Sequence, residues 1–264
     1  MKEMQNMVEF MVRHCATIEI RSVASLWLHG QQNRRPWRDE PVESSDVAAW
    51  RWLGPTSGLV YRHLQPQWVI ELEALELASF PTTDPEDLYD EAELTALAAG
   101  FPEGCFVGLD GERPVAMGLG VRVHFDFEHP QHNLAEFLAA TGTETGHQPD
   151  GPWYYGTDIA VRPEYRRRGI GRELYDLRKQ VVRDLGLDGI VAGGVIPGYV
   201  DHKHRLTADE YVAAVVAGEL YDRTLSFQLE NGFEAPCALA NYMTDPDVDD
   251  HASLIVWRNP DVTP

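Results

Sequence analysis

The sequence predicts a mixed α/β protein in which helices flank a sheet whose first half is largely antiparallel. Three observations carry that prediction. From Leu59 onward, short apolar runs of strand type alternate with helical patterns. Asp110-Gly111 separates two such runs, a hairpin signal. The run Trp153 to Val161 passes through a short loop of arginines and glycines directly into a helical pattern, which makes a strand–loop–helix unit.

The elements follow in order. LVYRHLQ, from Leu59, reads as a strand. Trp68 to Ala78 is a helical pattern that stops before Pro81, because proline has no amide to continue the ladder. Pro85 to Ala99 reads as a second helix, ended by Gly100. CFVGLD and PVAMGLGVRVHF are the two arms of the hairpin, and Asn133 to Ala140 is a short inserted helix. WYYGTDIAV is a strand, Gly169 to Leu185 a helix and GIVAGGV a strand. Thr207 and Glu210 form a capping box that opens another helix. Leu220 to Glu230 reads as the last helix, stopped by Gly232, and FEAPCALANYM and ASLIVWR close the chain as strands. A sheet of about six to seven strands results.

Residues 1–58 read as an N-terminal extension and residues 59–264 as the folded domain. Met4, Met7, Val8 and Met11 fall at helical spacing, and a Pro-, Gln- and charge-rich linker follows. Trp27, Trp37, Trp50 and Trp52 are expected to dock on the main domain rather than hold a ligand.

Composition narrows the function. The chain of 264 residues is 44% apolar and 24% charged, as a globular protein is. No apolar run is long enough to span a bilayer, and the N-terminus lacks the pattern of a signal peptide. Three dispersed cysteines suggest free thiols in a reducing cytoplasm. With 42 acids against 22 bases and a formal charge of −20, the chain is not expected to bind nucleic acid. The acidity suits a cationic substrate, and it also serves solubility.

Against that charge, Arg166, Arg167, Arg168 and Arg172 gather with Gly169, Ile170 and Gly171 at one helix start. The first turn of a helix carries amides without intrahelical partners and the positive end of the macrodipole. Glycine lets a ligand approach the backbone, and arginine adds directional donors. The combination is a cradle for a phosphate or diphosphate. A Walker loop is absent, and the third glycine of a dinucleotide fingerprint is replaced by Leu174.

The segment Ile159-Ala160-Val161-Arg162-Pro163, followed by Arg166-Arg167-Arg168-Gly169-Ile170-Gly171, resembles the signature of the GNAT superfamily of N-acetyltransferases. FQLENGF, with Gly232-Phe233, resembles the family's helix-to-strand element. Between Gly193 and Pro260, GGVIPGY, TADEYVAAVVAGELYD, NYMTDPD and LIVWRNP resemble the GNAT domains sometimes fused to nitrilase-like carbon–nitrogen hydrolases. The resemblance implies a GNAT fold and direct transfer of an acetyl group from acetyl-CoA to the amine of a small molecule or peptide. A different acyl group, or a non-catalytic acyl-CoA-binding module, are the alternatives. It implies that the pantetheine arm pairs with Ile159, Ala160 and Val161 and that the diphosphate sits on Arg167 to Gly171. No metal is implied, and a homodimer is allowed.

Catalytic residues are less readily assigned. Where relatives carry a leaving-group tyrosine this chain has Gln228, so Ser226, Tyr221 and Tyr242 are the substitutes. The base positions of relatives correspond to Tyr155 and Thr157. Strand alternation turns Asp158 to the opposite face unless a bulge intervenes. Asp158 as the base, where a bulge turns it, and a water chain past Tyr155 and Thr157 are the two alternatives, and the expectation is that no single dedicated base serves. The stretches Gly198 to Gly218 and His129 to Asp150 are expected to wall the acceptor site. His124, His129 and His132, and His202-Lys203-His204, are read as loop histidines, and the run from Asp245 to Asp250 as an acidic hairpin tip.

Overall fold

The structure is a computed structural model that describes residues 50–262. The expected helix at Met4 to Met11, and Trp27 and Trp37, lie outside the described residues. Eight strands form one sheet in the order β1-β2-β3-β4-β5-β6-β8-β7. They are β1 Arg51–Leu53, β2 Val60–His63, β3 Phe106–Asp110, β4 Arg113–Val123, β5 Trp153–Val161, β6 Gly189–Val195, β7 Glu234–Leu239 and β8 Ala252–Arg258. All neighbouring pairs are antiparallel except β5 and β6. The sheet is one strand larger than expected, because β1 lies in the stretch read as extension. Trp50 stacks on His63 with ring centroids 4.3 Å apart, and Trp52 packs on Tyr61 at 5.3 Å. These two tryptophans dock as expected, and they bring a strand with them.

The helices are α1 Val69–Ser79, α2 Glu91–Gly100, α3 Leu134–Ala139, α4 Ile170–Asp184, α5 Ala208–Val216 and α6 Leu225–Glu230. Two are shorter than the sequence suggests. Pro85 opens only a 3-10 turn, and α2 starts afresh from a capping box of Asp90 and Glu93. The last helix starts at Leu225 rather than Leu220, because buried Asp222 takes the amides of Thr224 and Leu225 and ties them to Gly198 and Tyr211. Two apolar layers cover the sheet. Helix α4 packs with Tyr61, Tyr154 and Ile190 on one face, and α1 and α2 pack with Val107, Met117 and Tyr155 on the other. Among the described residues no helix is long and apolar enough to cross a membrane.

Strands β5 and β6 pair only over Trp153–Tyr155 and Gly189–Val191, although β5 runs on to Val161 and β6 to Val195. Beyond that point the two central strands part, and the opening is where the site lies.

Candidate active site

The cradle is built from backbone. Arg167 has φ 63° and Gly169 has φ 83°, so the loop before α4 turns twice through the left-handed region. Alternation of this kind points successive amides into one concavity. Among the described residues, the amides of Arg167, Arg168, Gly169, Ile170, Gly171 and Arg172 donate to no protein acceptor; the first helical bond outside the ladder is Glu173 N to Gly169 O. The arginine side chains do not plug the loop. Arg166 donates to Val161 O and to Ser79 O, and Arg168 donates to Glu164 O and lies 4.7 Å from the Tyr165 ring. Gly171 has a packing reason as well: a Cβ there would meet the Phe227 ring at 3.2 Å.

One further support was missed in the sequence. Glu173, in the first turn of α4, is 2% exposed and accepts from Thr56 N, Ser57 N, Ser57 Oγ and Tyr61 Oη at 2.5–2.9 Å. It pins the turn between β1 and β2 to the cradle, where Thr56 Cγ2 closes over Gly169.

On β5, Arg162 N donates to Val115 O across the β4 ladder. Antiparallel alternation then turns Ala160 towards β4 as well, and Ile159 and Val161 towards the opening. The Ile159 amide thus faces the opening and the Ala160 amide does not.

The expectation for Asp158 is corrected by a bulge. Leu119 pairs with Asp158, and the next residue, Gly120, pairs with Gly156, which leaves Thr157 as the extra residue. Packing records the change of parity. Trp153, Tyr155 and Ala160 join the core on the α1 face, while Tyr154, Ile159 and Val161 join the core on the α4 face. Thr157 and Asp158 therefore share the α1 face.

Between the parted strands lies a cleft of about 160 Å³, lined on one side by Glu76, Leu88, Tyr89 and Met243 and on the other by Tyr175, Arg178, Phe227 and Gln228. Thr157 and Asp158 line it as well. Glu76 Oε2, Tyr89 Oη, Thr157 Oγ1, Asp158 Oδ2, Arg178 Nε and Gln228 Oε1 are all buried without a hydrogen-bond partner in the protein. Folded proteins leave few such groups, and six converging on one cleft mark it as a place where a ligand supplies partners. Burial pushes the Glu76 carboxyl up, and the charge of Asp158 adds to the effect. Burial also lifts Asp158, and Arg178 opposes that lift. Both carboxyls are thus shifted towards the protonated form, Glu76 the more so because Asp158 is its neighbour.

The other candidates fall in different places. Tyr155 lies under the cleft, fully buried, and bonds Tyr242 Oη at 3.0 Å and His132 Nε2 at 2.7 Å. His132 is thus not a plain surface histidine; its Nδ1 meets Pro130 O at 2.7 Å, so Nε2 is left to accept from Tyr155. His124 and His129 do stay on the surface, beside Asp150 and Asp126. Tyr221 is 74% exposed and does not reach the cleft. Ser226 Oγ accepts from Asp222 N and is likewise absent from the lining. Gln228 does line it, in line with a Cβ on Gly194 that would strike its amide at 2.5 Å. Residues 198–218 do not wall this cleft, since α5 packs on β7; of the loop at 129–150, Leu134 contributes. Among the described residues no group of three or more His, Cys, Asp or Glu could hold a metal ion.

Comparison with known proteins identifies the family. A profile of the Acetyltransferase (GNAT) family matches residues 69–198, from α1 through β6. The chain is 30% identical over 202 residues to the uncharacterized N-acetyltransferase YkwB of Bacillus subtilis, covering 76% of this chain and 89% of that protein. It is 33% identical over 207 residues to the probable hydrolase YhcX of the same organism, covering 78% of this chain but only 40% of that protein. The loading GNATL domain of CurA from Lyngbya majuscula shares the fold, with a TM-score of 0.64 at 20% identity over 75% of this chain and 96% of that domain. The chain belongs to the GNAT family of acetyltransferases. The resemblance to domains fused to carbon–nitrogen hydrolases meets, in YhcX, a longer relative named as a hydrolase of which this chain spans less than half.

Proposed function

We propose that this protein transfers an acetyl group from acetyl-CoA directly to the amine of a small molecule or peptide. The observation that carries the reading is the parting of β5 and β6 between six amides at residues 167–172 that have no protein acceptor and the buried carboxyls of Glu76 and Asp158. The diphosphate would lie on the amides. The pantetheine arm would pair with the open edge of Ile159 and Val161, and the Ile159 amide would donate to the thioester oxygen.

An amine arrives as an ammonium ion and must lose a proton before it attacks. Asp158 in its ionised form attracts the cation and takes that proton, while Glu76 beside it stays protonated and neutral. This reading chooses Asp158 over the water chain, because the bulge brings its carboxyl to the face where regular alternation would not. The amine nitrogen then bonds to the carbonyl carbon, the carbon–sulfur bond breaks, CoA leaves as the thiolate, and the nitrogen sheds its second proton to solvent to give the neutral amide. Gln228 cannot protonate that sulfur, so the thiolate takes its proton from solvent, from the pair or from Tyr175, which lines the same side of the cleft.

A short acyl group is favoured by the way the glycines of the opening are filled. The space a Cβ would take at Gly156, Gly193 and Gly194 is occupied by Arg178, Tyr242 and Gln228. The direct test measures free thiol released from acetyl-CoA against polyamines, amino acids, aminoglycosides and peptide N-termini. Amine-dependent release with a matching acetylated product supports the reading. Thermal stabilisation by acetyl-CoA with no release from any amine would leave a binding module instead. A cytoplasmic location accords with the use of acetyl-CoA.

A further inference from the structure

Arg178 is 3% exposed, two turns into α4, and the guanidinium sits beneath the parted strands. Among the described residues no carboxylate lies within ion-pair distance of it. Burying a lone cation costs several kcal/mol unless its hydrogens are taken up. Here Nη2 alone takes two acceptors: it donates to Leu119 O on β4 at 2.5 Å and to Asp158 O on β5. Those two residues are the last aligned pair before the bulge. The neighbouring residues give way to the group. A Cβ on Gly156 would lie 2.8 Å from Nη1, and one on Gly118 would lie 3.8 Å from Nε.

We propose that Arg178 is a positioning residue: its guanidinium bridges β4 and β5 at the bulge, and so holds the Asp158 carboxyl on the cleft face. A bulge interrupts the ladder and leaves carbonyls without their strand partners. A planar cation with several fixed donors can serve two such carbonyls at once, from two strands, where a neutral side chain of similar size serves one. With the bridge in place, one extra residue is stable at Thr157 and the strand changes parity. Without it, β5 can return to regular alternation, which would carry Asp158 to the α4 face. The inference rests on Asp158 acting as the base. The groups facing that carboxyl are Glu76 from α1, Asp87 and Tyr89 from the turn before α2, Tyr242 from the loop after β7 and Arg178 from α4; the facing stretch of β6, Ala192 to Val195, carries none.

The test follows the carboxyl itself and needs no acceptor. Protein carrying carboxyl-13C aspartate is titrated by NMR, with the Asp158 signal identified by its loss in Asp158→Asn. In Arg178→Gln the Asp158 midpoint is expected to move up, since a positive neighbour and an ordered bulge are both lost. In the thiol assay, the acid limb of kcat/KM is expected to rise by about one pH unit, a fall of about tenfold on the acid side. Arg178→Ala, given millimolar guanidinium chloride, is expected to recover part of the lost rate, and methylammonium chloride is expected to recover less. Where Arg178→Gln does not fold, Arg178→Lys carries the same titration. An Asp158 midpoint and acid limb that stay at wild-type values, with only thermal stability reduced, would make Arg178 a purely structural cation and overturn the inference. A different result marks failure of the underlying reading: full activity and an unchanged acid limb in Asp158→Asn would remove the base, while the NMR midpoint would still report on the bridge.

Discussion

At the scale of single residues, the cleft is defined by side chains that the protein itself does not satisfy. Asp158 is the sharpest case. Its carboxyl is lifted by burial and held down by Arg178, so the balance of two large opposing effects decides when it can accept a proton. Only the ionised form is a base. Activity is thus expected to fall as the pH drops through the raised midpoint and to level off above it. Asp158→Asn removes the acceptor for the proton and is expected to lower kcat/KM by about a hundredfold or more, the usual scale for a general base. The acid limb should vanish with it, while the dissociation constant for acetyl-CoA, measured by calorimetry, stays near the wild-type value. Tyr155 illustrates the opposite outcome. Burial raises its hydroxyl well above the ordinary range, so it stays protonated and serves as a link between His132 and Tyr242.

At the scale of elements, the loop before α4 works only with the β1–β2 turn against it. The loop supplies amides, and Glu173 fastens the turn that closes over Gly169. Glu173→Ala strands two amides and two hydroxyls that are at least partly buried, at about 1–3 kcal/mol for each group left unsatisfied. The expected outcome is a clear loss of thermal stability together with weaker acetyl-CoA binding, because the turn no longer backs the cradle. Arg168→Glu combined with Gly169→Asp acts on the loop itself. It places two negative charges where a diphosphate would sit and forces a side chain onto a backbone with φ 83° and a neighbour at 2.7 Å. Binding of acetyl-CoA should be abolished by calorimetry. Unchanged affinity would remove the main support for the cradle.

At the scale of the whole molecule, the buried carboxyl pair makes stability depend on pH. Glu76 has a midpoint raised by burial and by the charge of Asp158, so the folded state binds its proton more tightly than the unfolded chain does. The sign follows. Stability attached to that proton is fully present below the ordinary carboxylate midpoint and is lost as the pH rises through the raised one. Glu76→Gln carries a neutral amide at all pH values and escapes the loss. The difference in Tm, variant minus wild type, is therefore expected to grow from acid towards alkaline pH. A difference that is flat or shrinks with pH would show that Glu76 ionises as freely in the fold as in the open chain. The formal charge of −20 belongs to the same scale, since it disfavours nucleic acid as a partner and would suit an acceptor that arrives as a cation.

Much of this protein was legible in the chain itself. Local patterns marked the strands from β2 onward, the hairpin at Asp110-Gly111, the capping box at Thr207 and the cradle before α4, because each depends on residues close in sequence. The family signature was legible for the same reason. Short signals misled where a distant partner intervened: Asp222 shortened the last helix, and β1 joined the sheet by pairing with β2. The face that carries Asp158 was decided only in three dimensions. A run such as Gly156-Thr157-Asp158 carries no mark of a bulge, and the inserted residue is fixed by the register of β4 and by Arg178, twenty residues further on. Parity along a strand is a property of its pairing, so the sequence alone could name Asp158 but could not say which way it points.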